Sequence, residues 1–170
     1  LLPPSASGER VMAYSQTEPS GAANIAFHQT RLTEDGNGYR LNGHKLFCTQ
    51  GHAKTYLVMC RTSKDGAEGY GCVIVEAEDK GFEVHKYEDK LGWRGTNTGP
   101  IAFTDVSISA DDVLGNILSG GPDHGPANQV SFLGHAATSL GCTEGLFDLT
   151  MDYIKQRELY GEPMTRLSPV

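Results

Sequence analysis

The chain has 170 residues, a formal net charge of −7 and a hydrophobic fraction of 38%. This length suits one domain with an attached element, and the acidic balance argues against bulk nucleic-acid binding, which needs a dense basic face. No apolar run is long enough to cross a bilayer. Leu1 is not an initiator Met and begins no signal-peptide pattern, so we interpret the chain as a piece of a longer protein.

Cysteine and histidine spacing favours neither a disulfide framework nor a metal site. The four cysteines contain no CxxC pair, which indicates reduced, buried thiols in an intracellular protein. The six histidines contain no HExxH or other paired ligand spacing, so no metal is expected. A diphosphate ligand is still compatible with the acidic charge, because backbone N–H groups and one arginine can bind it.

Residues from about 10 to 108 predict β structure. Short apolar runs are separated by turn clusters roughly every dozen residues, which is typical of an antiparallel sandwich or barrel of about six or seven strands. The predicted strands are residues 24–32, 39–41, 44–47, 56–61, 70–75, 82–87 and 100–108. Asn42-Gly43 lies between two of them and predicts a type I′ hairpin, because both central positions of that turn need positive φ.

The remainder of the chain predicts one long amphipathic helix. Apolar residues recur at spacings of three and four from Val130 to Ile154, which corresponds to about 30 residues and about 45 Å. Gly161 can cap the helix and Pro163 prevents its continuation. The predicted organisation is a β domain at 1–118, a linker at 119–126 and the start of a helical domain at 127–170. We expect a further helical domain or a second subunit to cover the helix.

Two segments of the chain resemble motifs of one enzyme family. Residues 13–19 read Ala-Tyr-Ser-Gln-Thr-Glu-Pro, and residues 41–51 read Leu-Asn-Gly-His-Lys-Leu-Phe-Cys-Thr-Gln-Gly. The first resembles the Thr-Glu-Pro motif of acyl-CoA dehydrogenases, and the second is similar to their LNG-K-aromatic-x-T-x-G motif. Residues 90–98, 101–106, 111–115 and 153–161 extend the resemblance over most of the chain. It implies that family's middle β domain, followed by the first helix of its C-terminal helical domain.

This resemblance implies a function. Family members are FAD-dependent oxidoreductases of fatty acid metabolism, which oxidise an acyl-CoA to the 2,3-enoyl-CoA and pass the electrons to an electron-transfer flavoprotein. We therefore expect FAD as cofactor, an acyl-CoA substrate and a homo-oligomer, either a dimer or a tetramer, assembled through the helical domain. The expected compartment is the bacterial cytoplasm or the mitochondrial matrix.

The resemblance also assigns the residues that bind the cofactor. Tyr14, Gln16 and Thr17 are expected to line the flavin from one side, and Phe47, Cys48 and Thr49 from the other. The two threonine hydroxyls are expected at the edge of the ring, and Phe47 stands where the family usually has Trp. Arg157 matches a family arginine that reaches the FAD phosphates of the neighbouring subunit. The residues alone equally allow Arg157 to complement the helix dipole in the last helical turn.

The expected substrate site departs from the family pattern. Its residues, by resemblance, are Ala23, Arg94, Gln129 and Phe132. Ala23 stands where the family has a serine that contacts flavin and substrate, and Phe132 stands where it has an arginine. Ser131 occupies the position that holds the catalytic Glu in a minority of members. The catalytic base is therefore expected beyond Val170, and this segment alone is predicted to be inactive.

These departures leave two alternatives open. The same fold hosts flavin-dependent oxidases and monooxygenases, which need no thioester substrate. The chain could equally belong to a non-catalytic partner subunit of a mixed oligomer, since such a subunit would keep the fold while its active site decayed.

Overall fold

The structure is a computed structural model, which describes residues 1–62, 69–115 and 125–167, with only the backbone described for residues 125–129. The chain forms two compact units, Leu1–Asp123 and His124–Val170. The predicted linker at 119–126 falls almost wholly outside the described residues. Within the described part of the chain, no helix has both the length and the apolar character needed to cross a membrane.

The first unit is built on one mainly antiparallel sheet. A short helix, α1 (Leu2–Ala6), precedes it. Its strands are β1 (Met12–Ser15), β2 (Arg31–Asp35), β3 (Gly38–Thr49), β4 (Thr55–Arg61), β5 (Tyr70–Glu76), β6 (Phe82–Val84), β7 (Thr98–Ile108) and β8 (Val113–Leu114). They follow the order β6-β7-β3-β2-β4-β5-β8, and β1 pairs with β4 in parallel. The prediction of a mainly β unit followed by a long helix is confirmed.

Among the described residues, the larger of two hydrophobic clusters lies on one face of the sheet, and a smaller one, made of Met59, Tyr70 and Cys72, lies on the other side of β4 and β5. The larger cluster is the main core. Its members include Leu41, Tyr56, Val58, Val75 and Ile101, none of which is exposed to solvent. The three cysteines of this unit, Cys48, Cys60 and Cys72, are buried and unpaired. Burying this much apolar surface is the main source of stability for the sheet.

The predicted hairpin at Asn42-Gly43 is wrong. The turn that joins β2 to β3 is Gly36-Asn37, with Gly36 at φ 62, and Asn42-Gly43 lies inside β3. Gly43 has φ 141, and a Cβ there would lie 2.5 Å from the Cα of Thr30. The glycine therefore permits a close backbone approach inside the sheet, and pairing with β7 keeps β3 extended through it.

The predicted strand at 24–32 is also largely wrong. Residues Ile25–Phe27 form a 3-10 turn, and the strand begins only at Arg31. The sheet has eight described strands, more than predicted, because β1 and β8 are too short to show an alternating pattern.

The second unit is a long helix and a small hairpin. Helix α2 (Gly125–Gln156) has 32 residues, and β9 (Glu158–Leu159) and β10 (Glu162–Pro163) follow it. Tyr160 and Gly161 form the turn of this hairpin with φ 56 and 81, so Gly161 does not cap the helix as predicted. Arg157 lies just beyond the last helical residue.

The exposed apolar residues of helix α2 are not confined to the single stripe that the sequence predicts. Val130 is 73% exposed and Leu133 72%, as the predicted stripe requires, but Phe132 (69%) and Leu146 (64%) lie outside it. A helix that is apolar around much of its circumference is one that other helices surround.

Candidate functional site

A surface cavity lies where the end of β1 approaches the end of β3. It has a volume of about 250 Å³ and is lined by Tyr14, Ser15, Gln16, Thr17, Ala22, Leu46, Phe47, Cys48 and Thr49. We call it the β1–β3 pocket. The structure brings together all six residues of the sheet unit for which the sequence predicts a role in cofactor binding.

The first wall of the pocket begins as a regular strand and then leaves the sheet. Residues Met12 to Ser15 pair with β4, and the alternation buries Ala13 and Ser15 while Tyr14 remains 47% exposed. After Ser15 the chain no longer pairs in the sheet. Gln16 and Thr17 thus form the wall with their backbone as well as their side chains.

The second wall depends on a β-bulge in β3. Lys45 pairs with Ile101 and Cys48 pairs with Gly99, so Leu46 and Phe47 together oppose Pro100. Proline has no N–H to donate, which makes it compatible with an interrupted ladder. The extra residue inverts the alternation, so that Cys48 is buried while Phe47, at φ 54, is 57% exposed on the pocket. A bulky residue with positive φ is uncommon and is typical of functional sites.

A hydrogen-bonded chain crosses the first wall. The Tyr14 hydroxyl donates to Gln16 Oε1 at 2.7 Å, and Gln16 Nε2 donates to the Ala22 carbonyl at 3.0 Å. Burial, with a further contribution from Cys72, raises the pKa of Tyr14 to about 12. The tyrosine therefore stays protonated at neutral pH and keeps its donor role.

The two pocket threonines are free to bind a ligand. Thr17 is half-buried and Thr49 is exposed, and neither hydroxyl has a hydrogen-bond partner within the described residues. Cys48 is a poor nucleophile by contrast, because burial raises the pKa of its thiol.

A buried ion pair lies beneath the first wall. Lys45 Nζ is 2.7 Å from Glu18 Oε1, and the side chains are 0% and 1% exposed. Burial opposes ionisation of Glu18, but hydrogen bonds from the Gln29 N–H and from Lys45 lower its pKa below the usual range. Burial lowers the pKa of Lys45, and its bond to Glu18 opposes this effect. Lys45 is not among the predicted site residues, although it shares the inward register of Leu41 on β3.

Two of the residues with a predicted role in substrate binding, Ala23 and Arg94, belong to the sheet unit and are not among the described residues that line the pocket. Ala23 is exposed in a loop, and the residue of this loop that lines the pocket is its neighbour Ala22. Arg94 is exposed and forms an ion pair with Asp89 at 3.2 Å. Phe132 is exposed on α2, and Gln129 is among the residues whose side chains are not described.

Arg157 belongs to the second unit. It follows α2, its backbone N–H donates to the Tyr153 carbonyl at 2.8 Å, and its side chain is exposed. The sequence predicts Arg157 in the last turn of the helix, and the helix ends one residue earlier, at Gln156. Metal binding has no geometric support in the described part of the chain, where no three His, Cys, Asp or Glu side chains come together.

Comparison with known proteins identifies the family. Residues 13–106 match the family described as acyl-CoA dehydrogenase, middle domain. A short-chain specific acyl-CoA dehydrogenase of Clostridium acetobutylicum is 32% identical over 97% of this chain, which spans 44% of that protein. The crystal structure of a probable acyl-CoA dehydrogenase from Mycobacterium abscessus superposes with a TM-score of 0.92 at 30% identity, over 97% of this chain and 44% of the other.

A third relative was solved with a reduced flavin. A glutaryl-CoA dehydrogenase from Mycobacterium smegmatis in complex with FADH2 has a TM-score of 0.86 at 27% identity, over 98% of this chain and 42% of that one. Fold and sequence similarity agree on the class of this segment, a middle domain of the acyl-CoA dehydrogenase type. The chain belongs to the acyl-CoA dehydrogenase family, and it spans about 44% of the length of the relatives it matches.

Proposed function

We propose that the β1–β3 pocket holds the flavin ring of FAD, in an acyl-CoA dehydrogenase that oxidises an acyl-CoA thioester to the 2,3-enoyl-CoA. The observation that carries this proposal is the pair of unpartnered hydroxyls, Thr17 and Thr49, which line one cavity together with the exposed ring of Phe47.

The residues of the pocket fit such a group. A flavin ring has two flat apolar faces and a polar edge, which match the exposed aromatic rings of Phe47 and Tyr14 and the two threonine hydroxyls. Pockets that enclose a whole ligand measure about 300–1,000 Å³. The smaller β1–β3 pocket suits the ring alone, so the phosphates need another site.

We assign the phosphates to Arg157. Its guanidinium is exposed and has no ion pair within the described residues, and a planar fork suits a diphosphate. By resemblance, the arginine serves the FAD of a partner subunit in a homo-oligomer. The alternative, a role in complementing the helix dipole, is equally compatible with the structure, because Arg157 directly follows α2 and its N–H donates to the Tyr153 carbonyl.

The chemistry divides between this chain and the rest of the protein. When bound, the flavin supplies the acceptor for the β-hydride that leaves as the α-proton of the thioester is removed. Thr17 and Thr49 orient the edge of the ring, and Phe47 excludes water from its face. Glu18 is not the base, because its carboxylate already accepts hydrogen bonds from Lys45, Gln29 and Thr30.

The other expected roles remain proposals. The base comes from the protein beyond Val170, and an electron-transfer flavoprotein is the proposed acceptor. Ala23, Arg94, Gln129 and Phe132 are proposed to contact the substrate once the rest of the site is in place. The proposed compartment is the bacterial cytoplasm or the mitochondrial matrix.

The test is FAD binding by the full-length protein and by the Thr17→Val/Thr49→Val double variant. Valine keeps the shape of threonine and removes the hydroxyl. Because neither hydroxyl bonds within the described protein, we expect unchanged thermal stability of the apo form and an FAD affinity lower by roughly tenfold, as two lost hydrogen bonds imply. Thr33→Val, on the exposed side of β2, is the matched control. A wild-type protein that binds no FAD would refute the proposal.

A further inference from the structure

The ion pair between Lys45 and Glu18 has a location that fold stability does not explain. Both side chains are almost wholly excluded from solvent. Removing two charges from water costs free energy that their attraction often fails to recover, so a buried ion pair is weak evidence for a stabilising role. The groups that Lys45 joins suggest a different role.

The ammonium of Lys45 connects the two walls of the β1–β3 pocket. Besides its bond to Glu18, Nζ donates to the Gln16 carbonyl at 3.1 Å. Gln16 and the adjacent Thr17 belong to the first wall, and Lys45 directly precedes Leu46 of the second wall. The side chain therefore crosses beneath the pocket from one wall to the other.

The first wall has little else to hold it against β3. The ladder of β1 ends at Ser15 and pairs with β4 rather than β3. Within the described residues, three hydrogen bonds join residues 16–18 to β3, and β3 supplies the donor in each. Lys45 Nζ donates to the Gln16 carbonyl and to Glu18, and the Leu46 N–H donates to the Thr17 carbonyl at 2.8 Å.

Glu18 gives Lys45 a fixed point to bind. Its carboxylate also accepts hydrogen bonds from the backbone N–H of Gln29 and from that of Thr30, the latter at 3.0 Å. These bonds come from a different segment, so the carboxylate is held independently of Lys45. The Glu18 carboxylate thereby fixes the position of the Lys45 ammonium, and the ammonium in turn fixes the position of the Gln16 carbonyl.

We propose that Lys45 is a positioning residue of the FAD site. Its ammonium fixes the Gln16–Thr17 wall against the Leu46–Thr49 wall, so that the hydroxyls of Thr17 and Thr49 meet the same ring. Lys45 acts through Thr17 and does not contact the ring. This inference rests on the proposed function.

The test separates positioning from stability in the full-length protein. Lys45→Met keeps the unbranched side chain up to the ε position, removes the bond to the Gln16 carbonyl and leaves the Glu18 charge buried without its cation. We expect it to lower both thermal stability and FAD affinity. The double variant Lys45→Met/Glu18→Gln removes both charges, so it should recover part of the lost stability.

FAD binding should not recover with it. In the double variant the bond to the Gln16 carbonyl is still missing, so we expect FAD affinity to stay roughly tenfold or more below wild type, the equivalent of one charged hydrogen bond. The absorption spectrum of the flavin that does bind should stay shifted as well. A double variant with wild-type affinity and a wild-type flavin spectrum would overturn the inference.

Arg40→Met provides the matched control. Arg40 lies on the same strand and pairs with Asp35 at 2.6 Å, but both partners are exposed. The change should leave FAD affinity as in wild type, and an equal loss there would overturn the assignment to Lys45. If the wild-type protein itself holds no FAD, the proposed function fails, which is distinct from a failure of the Lys45 inference.

Discussion

His28 is the buried residue that makes the loop behind the pocket sensitive to pH. It is 1% exposed, and Nδ1 lies 2.7 Å from the Tyr70 hydroxyl while Nε2 lies 3.0 Å from the Gly21 carbonyl. The pKa of Tyr70 is raised by burial, so the tyrosine donates and the imidazole is neutral, with its proton on Nε2. Burial and the nearby Lys45 lower the pKa of His28 from 6.5.

This shift predicts a loss of stability in mild acid. The unfolded chain takes up the proton first as the pH falls below about 6.5, and the folded state takes it up only at lower pH. The free energy of unfolding should therefore decrease as the pH falls below about 6.5. Glu18, whose folded pKa is also lowered, should add a second decrease below its ordinary value of 4.5.

Urea unfolding of two variants at several pH values checks this prediction. His28→Gln keeps a donor for the Gly21 carbonyl and an acceptor for Tyr70, but it cannot be protonated. It should flatten the decrease in the free energy of unfolding that begins below about pH 6.5. His85→Gln, at an exposed position on the same unit, should keep the wild-type slope. Equal slopes in all three proteins would contradict the assignment to His28.

Single residues differ in how far the sequence predicts them. The resemblance of two segments to family motifs predicts that Thr17 and Thr49 line one site, and both residues line the β1–β3 pocket. The role of Lys45 was not predicted, because lysine usually marks an exposed position. Only the inward register of β3, shared with Leu41, could have indicated it.

At the scale of elements, β3 shows how long-range pairing overrides a local turn signal. Asn-Gly is a strong hairpin sequence when nothing else constrains the chain. Here the segment pairs with β7, with register shifts at Leu41/Gly43 and at Lys45/Cys48. Neither shift can be predicted from residues 38–49 alone, because both are defined by the pairing with β7. The second shift, for example, lies opposite Pro100 of that strand. The pocket wall thus follows from the sheet rather than from the local sequence.

Glycine at position 43 should therefore be indispensable to the sheet. Gly43→Ala would place a Cβ 2.5 Å from the Thr30 Cα, at φ 141, and backbone cannot move aside cheaply. We expect a loss of about 3 kcal/mol or more in the free energy of unfolding. Gly36→Ala is the control, because it also has positive φ but no atom within 4 Å of the new Cβ.

The control should lose only about 1 kcal/mol, the cost of a left-handed conformation for alanine. Denaturant unfolding of both variants measures the difference. Similar losses in the two proteins would mean that Gly43 serves backbone conformation alone, as a hairpin glycine would.

At the scale of the whole molecule, the two units bury their apolar residues to different extents. The sheet unit encloses its core, whereas Leu133 and Phe147 of α2 are 72% and 64% exposed. The periodicity of α2 predicted its length well, because helix periodicity is a local property. The partner that covers the helix is not encoded in the helix sequence itself. The exposed apolar residues predict only that another helical domain or a second subunit covers them.

The overall fold was accessible from the sequence for a similar reason. Residues 56–61 and 70–75 are short apolar runs because β4 and β5 are buried on both faces, whereas residues 100–108 alternate because β7 is buried mainly on one. All three strands lie where the sequence predicts them. The parallel pairing of β1 with β4 was not predictable, since a four-residue strand carries too little alternation to specify a partner.

The most direct test of the proposed function is an anaerobic absorbance titration of the full-length protein with acyl-CoAs of short, medium and long chain. We predict that the protein carries bound FAD and that at least one acyl-CoA bleaches its absorbance as hydride is transferred. Bound flavin that no acyl-CoA bleaches would contradict the dehydrogenase function and favour a monooxygenase. A protein without bound flavin would contradict the assignment of the β1–β3 pocket and favour a non-catalytic subunit.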